Sequence, residues 1–143
     1  MPRTPSERTL RIIQGVWVIG FLVGTSTHVA DLIFGGLNVY EAFPPGNRVF
    51  WISLTLLDPL TVTLILLRRR AGIALGIAVM IADVAVNWTV FSTIGGLSLF
   101  GVLNQSAFAA FVLVTTPLLW RRFGRSAERN SASDNRTEAA SAE

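Results

Sequence analysis

The sequence predicts an all-α protein, a bundle of four transmembrane helices with the N- and C-termini in the cytoplasm. Hydrophobic residues make up 51% of the 143 residues and charged residues only 15%, whereas soluble domains carry about 25% charged residues. The apolar residues are concentrated in four stretches of roughly 20 residues, which is the length needed to cross a membrane. The four stretches are residues 10–34, 49–67, 71–93 and 100–120.

The arginines predict the orientation of these helices. All twelve basic residues are arginines, and eleven of them lie before or at the very start of the first stretch, between the second and third, or after the fourth. Arg48 is the exception. Because positive residues flank membrane helices on the cytoplasmic side, we expect both termini in the cytoplasm. The expected location is a bacterial plasma membrane, which the protein crosses several times. This placement also argues against a DNA-binding face, so no nucleic-acid partner is expected.

The segments around the first two helices follow from local composition. Residues 1–9 are predicted to be a cytoplasmic N-terminal segment. A cleaved signal peptide is an alternative, but a cut after Ala30 would place His28 where a small residue is required. A Gly- and Pro-rich link connects the first two helices. Its Tyr40, and Trp51 just beyond it, suit the outer membrane interface.

The second half of the chain completes the bundle, predicted over residues 10–120. Gly72 and Gly76 share one face of the third helix and would allow a neighbouring helix to approach closely. Residues 121–143 are predicted to form a basic stop followed by a disordered cytoplasmic tail, because the tail is rich in Ser, Ala and Glu without an apolar period.

Three aspartates, Asp31, Asp58 and Asp83, interrupt the apolar stretches. An ionised carboxylate at the centre of a membrane helix costs about 2.5–3.5 kcal/mol. His28 lies one helical turn before Asp31, and Asn87 lies one turn after Asp83. We therefore expect these groups to meet each other, water or a ligand.

Helical spacing places the polar residues of each helix on one face. Four such faces predict an interior polar cavity in the outer half of the bundle. The candidate ligand-binding residues on these faces are Thr25, Trp51, Thr55, Asn87, Trp88, Asn104 and Phe108.

The candidate catalytic residues are the acids and the single histidine: Asp58, Asp83, His28 and Asp31. A protonated Asp58 or Asp83 could donate a proton to an alkene, and His28 with Asp31 could remove one. Trp51 and Trp88 would shield the intermediate cation. This chemistry fits an isomerase or cyclase acting on a hydrophobic terpenoid- or sterol-like molecule.

Other interpretations stay open. The same cavity would serve a non-catalytic lipid or small-molecule binding protein, or a carrier. The aspartates could instead join helices or dock an accessory subunit to a membrane complex. Four spans favour a homodimer over a complete transporter in one chain. No metal site or cofactor is predicted, because the chain has no cysteine, no His-x-x-His pair and no dinucleotide motif.

Three segments carry a resemblance to known proteins. Residues 27–32 (THVADL), 50–60 with their Leu57-Asp58-Pro59-Leu60, and 81–87 (IADVAVN) resemble a group of small four-span actinobacterial membrane proteins. More distantly, the layout is similar to the EXPERA group, which includes the emopamil-binding sterol isomerases and the sigma-2 receptor. That resemblance implies a cavity for sterols or amphiphilic amines, lined by His28, Asp31 and Asp58.

Overall fold

The computed structural model describes residues 5–141, with side chains for residues 5–36 and 38–124. Four helices and one 3₁₀ turn make up the regular structure of these residues, which contain no strand. Each helix has a segment long and apolar enough to cross a membrane. The predicted all-α four-helix fold is therefore confirmed. The elements are α1 (Glu7–Gly35), the 3₁₀ turn (Gly36–Asn38), α2 (Pro45–Leu66), α3 (Arg70–Thr93) and α4 (Leu99–Ser141).

The ends of α1 and the start of α2 follow from capping chemistry. Ser6 is the N-cap of α1, and its hydroxyl accepts a hydrogen bond from the Thr9 amide at 3.2 Å. Gly36 ends the helix at φ 62°, a conformation that glycine adopts without strain. α2 begins with Pro45 after Pro44, where the missing amide hydrogen of proline costs no helical bond.

The other two connections are short turns. Arg68 has a left-handed φ of 53°, and the Arg69 amide donates to the Leu64 carbonyl at 2.9 Å, so the chain reverses tightly into α3. Gly95 at φ 83° starts the reversal into α4. Ser98 then caps α4 by accepting a hydrogen bond from the Gly101 amide at 3.0 Å. Such short links make sequential helices antiparallel neighbours.

Two glycines of α3 make room for atoms of the neighbouring helices. A methyl group at Gly72 would lie 2.8 Å from the Ile65 amide nitrogen of α2. A methyl group at Gly76 would lie 3.0 Å from the Trp17 ring and 3.2 Å from the Phe21 ring, both on α1. Gly72 therefore allows the predicted close approach, to the backbone of α2, whereas Gly76 makes room for aromatic rings of α1.

α1 and α4 are joined at the end of the bundle where α1 begins. The Arg122 guanidinium donates to Gln14 Oε1 at 3.0 Å and lies 3.4 Å from the Glu7 carboxylate. Trp17 Nε1 donates to Thr115 Oγ1 at 2.9 Å. We call this end the arginine end. The N-terminal end of α1 and the Arg122 region of α4 therefore lie at the same end of the bundle.

The outer surface of the bundle is strongly apolar. Large hydrophobic side chains are exposed along all four helices, including Ile33 at 72%, Leu56 at 75%, Ile81 at 54% and Val114 at 77% of their surface. A water-soluble protein would bury such residues, whereas a lipid bilayer solvates them. The exposed apolar surface supports the assignment of the helices as membrane spans.

α4 continues beyond the predicted span. The sequence predicts disorder from about residue 126, whereas the backbone of α4 is helical through Ser141. No proline or glycine follows Gly124, and the alanines, arginines and glutamates of this segment favour a helix. The predicted domain bounds at residues 9–10 and 120–121 stay predictions.

Candidate functional site

A cleft separates α1 from α4 on the side away from the arginine end. The two helices are in contact up to the Phe21 and Phe108 rings, whose centroids are 5.6 Å apart. Beyond this contact lies a cavity of about 660 Å³. Small-molecule sites typically enclose about 300–1,000 Å³. We call this cavity the α1–α4 cleft.

All four helices contribute to the lining of the cleft. α1 supplies His28 and Asp31, α2 supplies Asp58, and α3 and α4 complete the wall. Seven of the candidate residues from the sequence line the cleft: His28, Asp31, Asp58, Asp83, Asn87, Asn104 and Phe108. Part of the predicted polar face of each helix therefore lines the same cavity, while Thr25, Trp51 and Thr55 of those faces do not.

Asp58 lies in the lining of the cleft, beside α1. The residue as a whole is only 5% exposed. Because no buried side-chain oxygen of the described residues lacks a hydrogen-bond partner, its carboxyl oxygens open into the cleft. Gly24 of α1 makes room for it, since a methyl group there would lie 2.7 Å from Asp58 Oδ2. The carboxyl group of Asp58 is therefore available to a molecule in the cleft.

Asp83 has a different environment. Asn87 Nδ2 donates to Asp83 Oδ1 at 3.2 Å, and Gln105 Nε2 donates to Asp83 Oδ2. Asn87 Nδ2 also donates to Gln105 Oε1 at 2.8 Å, and Trp51 Nε1 donates to Asn87 Oδ1 at 2.8 Å. We call these four residues the Asp83 network. Both carboxyl oxygens of Asp83 are engaged within it, and the network as a whole joins α2, α3 and α4.

His28, Asp31 and Tyr40 form a second polar cluster, which we call the Tyr40 triad. The Tyr40 hydroxyl donates to Asp31 Oδ2 at 2.7 Å and lies 3.3 Å from His28 Nδ1. Tyr40 is buried, and its ring packs on Trp51 with centroids 5.0 Å apart. Burial, reinforced by the hydrogen bond to Asp31, raises the pKa of the Tyr40 phenol well above its usual range.

Four predicted ligand-binding residues lie outside the described lining of the cleft. Thr25 and Thr55 donate to the backbone carbonyls of their own helices at 2.9 Å and 2.6 Å. Trp51 lies behind Asn87 as its hydrogen-bond donor. Trp88 donates to Ser106 Oγ at 2.9 Å and is 38% exposed. Their predicted roles in binding a ligand or shielding a cation stay predictions.

Three residues of the site were not among the sequence candidates. Gln105, rather than its neighbour Asn104, reaches Asp83, while Asn104 lies exposed in the lining of the cleft. Tyr40 comes from a link whose conformation has no sequence period. Gly24 could have been suspected, because it lies one helical turn from His28 on α1.

The cleft has an acidic lining. Three carboxyl groups and one imidazole face it, and the described lining contains no arginine. In a low-dielectric site such carboxylates would stabilise positive charge that develops on a bound molecule. Within the part of the chain that the structure describes, no group of three or more His, Cys, Asp or Glu residues is placed to hold a metal ion.

Comparison with known proteins gave no relative: no protein-family model, no curated protein and no solved structure matches this chain.

Proposed function

We propose that this multi-pass membrane protein binds a hydrophobic, terpenoid- or sterol-like small molecule in the α1–α4 cleft. The proposal rests chiefly on Asp58. Asp58 lies in a membrane helix and lines a cleft of ligand size. The residue as a whole is buried, whereas its carboxyl oxygens open into the cleft rather than into the packed interior. A ligand that donates a hydrogen bond to this carboxyl group would lower the cost of keeping an acid inside the membrane.

The walls of the cleft favour an amphiphilic ligand. Phe21, Met80 and Phe108 form an apolar part of the lining that suits a hydrocarbon body. Thr27 and Asn104 lie exposed in the lining on α1 and α4. They suit a polar group, and the gap between α1 and α4 would admit the ligand from the membrane rather than from water.

The acid–base form of the proposal is a double-bond isomerisation. Protonated Asp58 would donate its proton to one alkene carbon, which leaves a cation on the neighbouring carbon. His28 would then take a proton from an adjacent carbon, and the double bond forms one position away. The reaction needs no oxidant or reductant, and the proton returns from His28 to Asp58 through water. A cyclisation would begin with the same protonation.

The second candidate function is a binding protein or carrier without catalysis. One observation favours it, because the two carboxylate oxygens of Asp83 are already engaged by Asn87 and Gln105. The catalytic set then shrinks to Asp58 and His28. The accessory-subunit interpretation, the homodimer and the likeness to the EXPERA group stay predictions.

Mass spectrometry of molecules that co-purify with the protein tests the proposal. We expect one small hydrophobic species at near-stoichiometric amount with the wild type and its loss with Asp58→Asn. Glu41→Gln is the control, because Glu41 is an exposed carboxylate outside the cleft. Equal bulk phospholipid in all three preparations would refute binding. Turnover of the species by the wild type would separate the enzyme from the carrier.

We further propose that the arginine end faces the cytoplasm of a bacterial cell. Arg8, Arg11 and residues 68–70 are placed there by the helix directions, while Arg48 is at the opposite end. The chain has no cysteine, so single engineered cysteines report the topology. An impermeant maleimide should label Glu41→Cys but not Ser126→Cys in intact cells, and the reverse pattern would refute this orientation.

A further inference from the structure

The Tyr40 triad joins the end of α1 to the link that follows it. His28 and Asp31 are one helical turn apart on α1, and the chain returns after the 3₁₀ turn so that the Tyr40 hydroxyl reaches both. It lies 2.7 Å from Asp31 Oδ2 and 3.3 Å from His28 Nδ1. The donor and the acceptor of each hydrogen bond in the triad can therefore be assigned.

The phenol has one hydrogen to donate. Asp31 Oδ2 is the nearer partner and accepts this hydrogen bond at 2.7 Å. The phenol oxygen is then an acceptor toward His28 Nδ1, which must carry a hydrogen. A neutral imidazole has a single N–H. Nε2 of His28 is therefore left with its lone pair.

The surroundings hold Tyr40 in this role. Its ring packs on Trp51, with centroids 5.0 Å apart. Burial, with the hydrogen bond to Asp31, raises the pKa of the Tyr40 phenol, so the phenol keeps its hydrogen near neutral pH. Tyr40 is thus fixed in position and in protonation.

We propose that Tyr40 is a positioning residue that holds His28 as the Nδ1–H tautomer, so that Nε2 accepts a hydrogen bond from a hydroxyl-bearing ligand in the α1–α4 cleft. The ligand in this inference rests on the proposed function, whereas the tautomer of His28 does not. It specifies the ligand class as an alcohol with an apolar body. A base oriented by a neighbour that is itself held by a carboxylate is a recurrent arrangement in protein sites.

The tautomer can be measured directly, because the chain has one histidine. In ¹⁵N-labelled protein in lipid nanodiscs, the imidazole gives a single pair of nitrogen resonances. We expect a protonated-type shift for Nδ1 and a lone-pair-type shift for Nε2 in the wild type. Tyr40→Phe removes the acceptor and should move the majority to the Nε2–H tautomer. A wild type with Nε2–H, or a Tyr40→Phe protein with unchanged shifts, would overturn the proposal.

Two further variants keep this test decisive. Phe43→Leu loosens the packing on Trp51 but keeps the phenol, so the tautomer should not change. Asp31→Leu removes the acceptor of the phenol hydrogen. The phenol is then free to donate to His28 Nδ1, and the Nε2–H form should appear even where Tyr40→Phe does not fold. An unchanged tautomer in Asp31→Leu contradicts the proposal.

Two probes test the ligand class: farnesol, an alcohol, and farnesene, the corresponding hydrocarbon. Farnesol should shift the His28 Nε2 resonance in the wild type, and farnesene should leave it in place. Equal shifts, or binding of neither probe, would refute the hydroxyl-bearing ligand. If no molecule co-purifies while the Nδ1–H tautomer is found, the proposed function fails and the role of Tyr40 stands. If a molecule co-purifies while the Nε2–H tautomer is found, the proposed function stands and the role of Tyr40 fails.

Discussion

Gly24 of α1 lies directly against the carboxyl group of Asp58 on α2. A methyl group at Gly24 would lie 2.7 Å from Asp58 Oδ2, closer than van der Waals contact allows. The absence of a side chain at this one position lets a buried acid occupy the lining of the cleft. The close packing of α1 on α2 at Gly24 therefore determines whether the Asp58 carboxyl group can face a ligand in the cleft.

Gly24→Ala should weaken ligand binding more than it weakens the fold. The added methyl group meets the tip of a side chain, so Asp58 can rotate away at a cost of about 0.5–1.5 kcal/mol, but its carboxyl group then leaves its place in the cleft. Co-purified ligand and thermal stability are measured together. Gly15→Ala is the control, because nothing lies within 4 Å of that position. Equal ligand loss in both variants would contradict the prediction.

Asp58→Asn and Asp83→Asn should differ in stability. Asparagine at position 58 removes a carboxyl group that has no described hydrogen bond, so the free energy of unfolding should stay level or rise. Asparagine at position 83 replaces one accepting oxygen with an NH2 group that faces the Asn87 or Gln105 donor, and this should cost about 1–3 kcal/mol. Unfolding in a denaturing detergent measures both. A larger loss for Asp58→Asn would assign Asp58 a structural role.

The sequence identifies candidate polar residues more readily than it identifies the contacts they make. Asp58 and Asp83 stand out because they interrupt apolar helices. The choice between Asn104 and Gln105 depends on the rotation of α4 about its axis, which is set where Phe108 packs against Gly20 and Phe21. That contact is between helices distant in the chain, so helical period alone cannot provide it.

Tyr40 illustrates the other limit of sequence reasoning. Its amphipathic side chain and its position in the chain suit a membrane interface, yet it is buried and hydrogen-bonded to Asp31. Irregular links have no repeating pattern that fixes the direction of a side chain. The four helices, by contrast, follow from length and composition, and their predicted bounds differ from the observed ones by only a few residues, apart from the extension of α4.

Alkaline pH should destabilise the wild type through Tyr40. The folded-state pKa of the phenol is raised above the unfolded value of about 10. The folded protein therefore holds more protons than the unfolded chain above pH ~10, and the free energy of unfolding falls as pH rises through that range. Tyr40→Phe should show a flatter alkaline profile from a lower neutral starting point.

The single tyrosine makes this pH prediction checkable. Tyrosinate absorbance reports the titration of Tyr40 alone, and detergent unfolding at each pH gives the stability. A wild-type phenol that titrates near its ordinary pKa, or parallel alkaline profiles for the two proteins, would contradict the prediction.

Arg122 should stabilise the arginine end more than its neighbour Arg121. Arg122 is 5% exposed and donates to Gln14 Oε1, whereas Arg121 is exposed. Arg122→Ala should cost about 1–3 kcal/mol, because a hydrogen bond from a charged donor and its packing are lost. Arg121→Ala should change stability by about 0.5 kcal/mol or less. Similar losses in the two variants would show that Arg122 contributes only surface charge.

Photo-crosslinking tests the occupancy of the cleft most directly. A benzophenone amino acid would replace Val23, which lines the α1–α4 cleft, or Val114, which is 77% exposed outside it. After irradiation of protein in its native membrane, mass spectrometry identifies each adduct. We predict one discrete hydrophobic molecule at position 23, diminished by Asp58→Asn, and a mixture of bulk lipids at position 114. The same mixture of bulk lipids at both positions would contradict a ligand site in the cleft.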